Sequence, residues 1–166
     1  MKFILVAILF LTTGCRTPVA TAAESFDLSK LSEKGREAYR IVRETEIFAL
    51  GGVGVAGTTS AVENAVRVLI AEPNGGEALA DLTEHATPEG RLMALYGLRC
   101  ASPPAYKSKL SEIRALPAPA RRGEGQNKIE AGYVKVMAGC MIMPERWADV
   151  LSRVASEAYP CPSAMK

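Results

Sequence analysis

Helix start and stop signals recur at short intervals along this chain, and they leave room only for short helices joined by tight turns. Ser60-Ala61-Val62-Glu63 has the capping-box pattern, in which a serine oxygen and a glutamate carboxylate satisfy free amides at a helix start. The run behind it sets Val62, Val66, Leu69 and Ile70 on one face and stops at Pro73-Asn74-Gly75-Gly76, four residues that favour turns. Upstream, Ser32 to Thr45 carries Ala38, Tyr39, Ile41 and Val42 at helical spacing, with Arg36, Arg40 and Arg43 towards solvent. Downstream, a helix is expected from about Glu77 to Ala86, burying Leu79 and Leu82. Thr87-Pro88-Glu89 starts another, with threonine as cap and proline at the first helical position, where its missing N–H costs nothing. Its apolar residues are Leu92, Leu95, Tyr96 and Leu98. Ser102-Pro103-Pro104 starts a fifth, holding Tyr106, Leu110 and Ile113. Pro144 is expected to open the last, with Trp147, Val150, Leu151, Val154 and Ala158 along one side.

Two stretches break this pattern. Leu116 to Asn127 contains P-A-P and G-E-G and reads as a loop. Tyr133 to Met143 (Y-V-K-V-M-A-G-C-M-I-M) is apolar and partly β-branched, which fits a short buried strand or a buried helix equally. The expected fold is therefore mainly α: a compact bundle or short stack of helical hairpins, with at most one short strand near 133–143. Ala78 to Arg99, helix, T-P-E turn, helix, resembles a HEAT-type hairpin.

The first residues differ from the rest. Met1-Lys2 is followed by nine apolar residues, Phe3 to Leu11. At about 1.5 Å per residue this run falls far short of the ~30 Å hydrocarbon layer, so it suits a signal-peptide core rather than a spanning helix. Leu11-Thr12-Thr13-Gly14-Cys15 then resembles the lipobox of bacterial lipoproteins, departing from it at Thr12, where that family usually carries leucine. The resemblance implies cleavage before Cys15, lipidation of its thiol and anchoring to a membrane. Arg16, which is not the aspartate that retains many such proteins at the inner membrane, implies the outer membrane. Ordinary cleavage after Ala20-Thr21-Ala22 is the competing outcome. Each buried methylene of an acyl chain contributes about 0.8 kcal/mol, so two or three chains hold a protein stably. The chain thus divides into a signal peptide over 1–14, an anchor site and flexible tether over 15–28, and a single helical domain over 29–166.

Charge narrows the partners. The chain carries +2 overall, with 20 basic and 18 acidic residues, and no run of five like charges provides a footprint for nucleic acid. Apolar residues at 48% and charged ones at 23% place it among globular chains rather than disordered ones.

Several motifs invite chemistry and are better explained without it. Gly52-Val53-Gly54-Val55-Ala56-Gly57 matches G-x-G-x-x-G, but the helix after it starts late. Glu72 falls at a turn and no second parallel strand follows, so a glycine connection fits better than a dinucleotide loop. No C-x-x-C, H-x-x-x-H or D-x-D-x-D-G pattern suggests a metal, and no cofactor is expected. Cys140 with His85 as base would make a thiol enzyme only if the fold brought them together. Trp147 and the methionines Met137, Met141 and Met143 are expected in the core, with a soft binding surface as the alternative.

In an oxidising compartment Cys100, Cys140 and Cys161 should form one bridge and leave one thiol, and the expected pair is Cys100 with Cys140, both beside apolar segments. The functional expectation is a lipid-anchored, non-enzymatic module binding an unidentified protein or envelope component. The alternative is an envelope hydrolase inhibitor using the loop Leu116–Asn127.

Overall fold

A computed structural model describes residues 25–53, 56–125, 128–156 and 158–162. The signal-peptide run and Cys15 lie outside these residues. The fold is mainly α, with short strands. Its helices are α1 (Glu33–Glu44), α2 (Ala61–Ala71), α3 (Gly75–His85), α4 (Pro88–Ala101), α5 (Pro103–Ala115) and α6 (Trp147–Ala155). Strands β1 (Gly52–Val53) and β2 (Thr58–Thr59) form one small antiparallel pair, and β3 (Tyr133–Ala138) and β4 (Met141–Arg146) another.

The caps expected at Ser60 and Thr87 form: Ser60 accepts the Glu63 N–H at 3.0 Å and Thr87 the Gly90 N–H at 3.1 Å. The Glu63 carboxylate, expected to complete the capping box, instead accepts the Gly51 N–H at 2.8 Å, and Ser32 caps α1 by accepting the Gly35 N–H at 3.0 Å. Helix α3 starts two residues earlier than expected, at Gly75, because Gly75 fits a position where a Cβ would lie 1.7 Å from the Leu69 carbonyl oxygen.

Helix α1 packs along α2, and α3 along α4. Contacts between α2 and α4 join the two pairs, and α5 and α6 close over α4. Helix α4 is the central element: every residue from Leu92 to Arg99 is buried. A helix apolar on all sides must be enclosed by others, and each fully buried leucine contributes about 1.5–3 kcal/mol. Neighbours approach α4 closely. A Cβ at Gly97 would stand 2.7 Å from Val66 Cγ1 and 2.9 Å from Leu79 Cδ2, and one at Gly90 would stand 2.3 Å from the Val42 carbonyl oxygen. The end of α1 is fastened to the start of α4, since Arg43 O accepts the Thr87 N–H at 3.0 Å and Thr45 O the Thr87 hydroxyl.

The structure departs from the sequence-based expectations at three places in the fold. Of the two readings for 133–143 the strand holds, as β3 with Val134 and Val136 buried, but the stretch then folds back as a hairpin whose second strand runs on to Arg146. Pro144 accordingly sits in β4, and α6 opens at Trp147. The tether expected to extend to residue 28 is already tied down at Phe26, whose N–H donates to Asp81 of α3 at 2.9 Å. Asp27 then caps a short 3-10 turn over Leu28–Lys30.

The expected Cys100–Cys140 bridge is also corrected. Cys100, near the end of α4, is bonded to Cys161, with the two Cα atoms 5.6 Å apart, and Cys140 is free and exposed. The reason is the path of the C-terminal tail. Arg99 donates to Val154 O at 2.9 Å and to Tyr159 O, and Tyr96 donates to Pro160 O at 2.9 Å. These bonds lay residues 159–161 along the end of α4, whereas the β3–β4 turn carries Cys140 away into solvent.

Candidate functional site

The β3–β4 hairpin follows from its own residues. Val134 and Val136 alternate inward and are buried, as β-branched residues on a half-buried strand should be. Gly139 has φ of +58°, the left-handed conformation that a two-residue hairpin turn requires and that glycine adopts without steric cost. The paired positions run from Tyr133 opposite Arg146 to Ala138 opposite Met141.

Main-chain parity decides what the outer edge offers. Phe48 donates its N–H to Lys135 O at 2.8 Å and accepts the Met137 N–H at 2.9 Å, a single parallel bridge on the far side of β3. Residues 134, 136 and 138 therefore point their amides at β4, so 141, 143 and 145 point back and 142, 144 and 146 point outward. Pro144 thus sits where its missing N–H would have faced the open edge, interrupting that edge as a template for another strand.

The hairpin is held at its base. Trp147 N–H donates to Gly132 O at 2.8 Å, and Glu145 accepts from Arg153 at 2.6 Å. The Trp147 side chain is buried with the core, as expected. Burial falls away towards the turn. Met141, Ile142 and Met143 are 61%, 50% and 38% exposed, beside the exposed thiol of Cys140. The core placement expected for the methionines is thus corrected for two of them. Met137 packs partly buried against the core, but Met141 and Met143 reach past it. Met141 and Met143 lie on one face of β4 and Ile142 on the other, so the hairpin end exposes large apolar side chains on both faces, as a contact element would.

The other sequence candidates fall elsewhere. Of the glycine run, Gly52 and Val53 form β1 opposite Thr58–Thr59, and Gly51 and Gly57 flank it at φ of +83° and +60°. Glu63 ties it to α2, accepting the Gly51 N–H at 2.8 Å and pairing with Arg67 at 2.6 Å. His85 closes α3, with its Nδ1 3.1 Å from the Asp81 carboxylate, and has no hydrogen bond to Cys140 among the described residues. Asp81 also accepts from Tyr39, and burial first, then that bond, raises the Tyr39 hydroxyl well above the usual phenol range. This cluster fastens the chain entering α1 to α3.

Sequence reasoning missed one buried ionic centre. Glu89 in the first turn of α4 is fully buried and receives both terminal nitrogens of Arg122, at 2.9 and 2.8 Å, and the Lys135 N–H at 2.9 Å. T-P-E shows a helix start, but nothing in it shows which distant cation will meet the glutamate. The loop containing Arg122 is therefore pinned to α4 and β3 and is not a freely projecting arm. An apolar groove of about 850 Å³ lies between α1 and α2, lined by Ala38, Ile41, Ala65 and Val68. No group of three or more histidine, cysteine or acidic residues among the described residues could hold a metal ion.

Comparisons of the chain with models of known protein families, with curated proteins and with solved structures find no match in any of the three.

Proposed function

We propose that this chain is a lipid-anchored, non-enzymatic binding module of the bacterial cell envelope, tethered through Cys15 to the outer membrane on its periplasmic side. It would meet a protein or envelope component through the end of the β3–β4 hairpin. The observation that carries the binding role is the exposure of Met141, Ile142 and Met143 on a hairpin whose base is firmly held. Folded chains seldom leave consecutive large apolar side chains in water without a use for them. The export role draws support from the nine-residue apolar run and the cysteine behind it, and a Cys100–Cys161 bridge is in keeping with an oxidising compartment. The inhibitor alternative has less support, because Arg122 pins the loop it would use.

The binding role is tested by placing a photo-crosslinking residue at position 142 in intact cells, with a matched probe at exposed Glu37 on α1 as control. A discrete adduct at 142 and none at 37 supports it. Equal labelling at both positions, or none at 142, defeats it. The anchor is tested separately by incorporation of labelled palmitate. A mature, unlabelled protein beginning at Ala23 would overturn lipidation at Cys15.

A further inference from the structure

The same hairpin end gathers sulfur. The chain has four cysteines and six methionines, and four of these ten residues, Met137, Cys140, Met141 and Met143, fall within a single short stretch. Met137 is partly buried against the core, while Cys140, Met141 and Met143 are exposed. Methionine alone also suits an adaptable contact surface, but the exposed Cys140 thiol beside two exposed thioethers adds a soft donor that such a surface does not use. Met141 and Met143 lie on one face of β4, about 7 Å apart along the strand, and the turn sets Cys140 directly beside Met141. Methionine has three rotatable bonds and a polarisable thioether, so both arms can converge on a thiolate at the turn. Glu145, which shares the face of β4 with Met141 and Met143, is turned to Arg153, so the exposed soft donors here are one thiol and two thioethers. Among the described residues Cys140 is also the thiol left over once Cys100 and Cys161 are bonded.

Soft thiolate and thioether ligands select Cu(I) over hard divalent cations. We infer that Cys140, Met141 and Met143 form a surface site for one Cu(I) ion. Binding replaces the Cys140 thiol proton, which passes to solvent, with a Cu–S bond. Each thioether donates a lone pair, and no electron changes hands. Because the ligand must be deprotonated, affinity rises with pH. This inference deepens the reading of the hairpin end as a binding element and does not depend on the lipid anchor.

The test uses the full chain with its Cys100–Cys161 bridge intact, titrated under argon into Cu(I) held by the coloured chelator ferrozine, with native mass spectrometry for stoichiometry. One copper per chain is expected, with loss of one proton. Met141→Leu and Met143→Leu keep the apolar area, and each should weaken binding at least about tenfold, the scale on which even outer-shell partners of a metal act. Cys140→Ser should abolish it. Failure to take copper from ferrozine overturns the site. So does binding that both leucine variants retain unchanged, which would mark a lone exposed thiol. Position-142 crosslinking by a chain that takes no copper would reject the metal and leave the binding module standing. Copper uptake without crosslinking would do the reverse.

Discussion

Arg122 reaches from the loop after α5 to grip the carboxylate of Glu89 with both terminal nitrogens, and the two groups differ sharply in exposure. The Glu89 side chain is 1% exposed and that of Arg122 29%. Removing the arginine would strand a buried negative charge with the Lys135 N–H as its remaining hydrogen-bond donor among the described residues. Arg122→Ala is therefore expected to destabilise the fold by about 3 kcal/mol, within the range for breaking a buried pair from one side. A double variant, Glu89→Gln with Arg122→Met, should cost less than the sum of its single changes. Urea unfolding of the parent, Arg122→Ala, the two single variants Glu89→Gln and Arg122→Met, and the double variant checks both statements, and additive losses would show the pair to be uncoupled.

The bridge between Cys100 and Cys161 joins positions 61 residues apart. Closing a loop of that length stabilises a fold by about 4 kcal/mol in the chain-entropy account. The paired Cys100→Ser, Cys161→Ser variant should lose stability of that order, and Cys140→Ser almost none. Thiol titration of the folded protein should find Cys140 reactive and the other two silent. A silent Cys140 beside a reactive Cys161 would refute the pairing.

Gly90 lies where α4 meets the end of α1. A methyl group there would press on the Val42 carbonyl oxygen, which belongs to backbone and cannot rotate aside. Gly90→Ala raises intrinsic helix propensity yet is expected to destabilise by about 1–3 kcal/mol through overpacking. A thermal melt showing a gain would mean that the two helices separate more readily than their packing indicates.

Glu72 gives the fold a defined acid response. Its carboxylate accepts the Ser32 hydroxyl and, at 3.1 Å, the Ser32 N–H, and these bonds hold its pKa below the usual glutamate value. A carboxyl whose pKa is lower folded than unfolded stabilises fully above the unfolded value, and that stability disappears as pH falls through the folded one. Glu72→Gln should therefore be less stable than the parent at pH 7. The gap should narrow below about pH 4, where glutamates take up protons. Urea midpoints measured across that range decide it, and a gap independent of pH would assign the loss to packing alone.

The sequence by itself determined the helices and their ends, because caps, prolines and turn residues act within a few positions of one another. Ser60 and Thr87 each cap the helix their spacing announces, and Val66, Leu69, Leu82 and Leu95 are all buried as their periodicity requires. Only the tertiary structure decided what depends on partners far apart along the chain. Periodicity could not separate strand from helix over 133–143, since an apolar, partly β-branched run fits both until β3 pairs with β4 on one side and bridges Phe48 on the other. Local apolarity favoured Cys140 as the partner of Cys100, yet Arg99 and Tyr96 draw the tail to α4 and bring Cys161 there instead. The exposure of Met141 and Met143 arises in the same way. An apolar residue is buried only if another element arrives to cover it, and Met141 and Met143 stay 61% and 38% exposed at the hairpin end while Met137 still packs against the core.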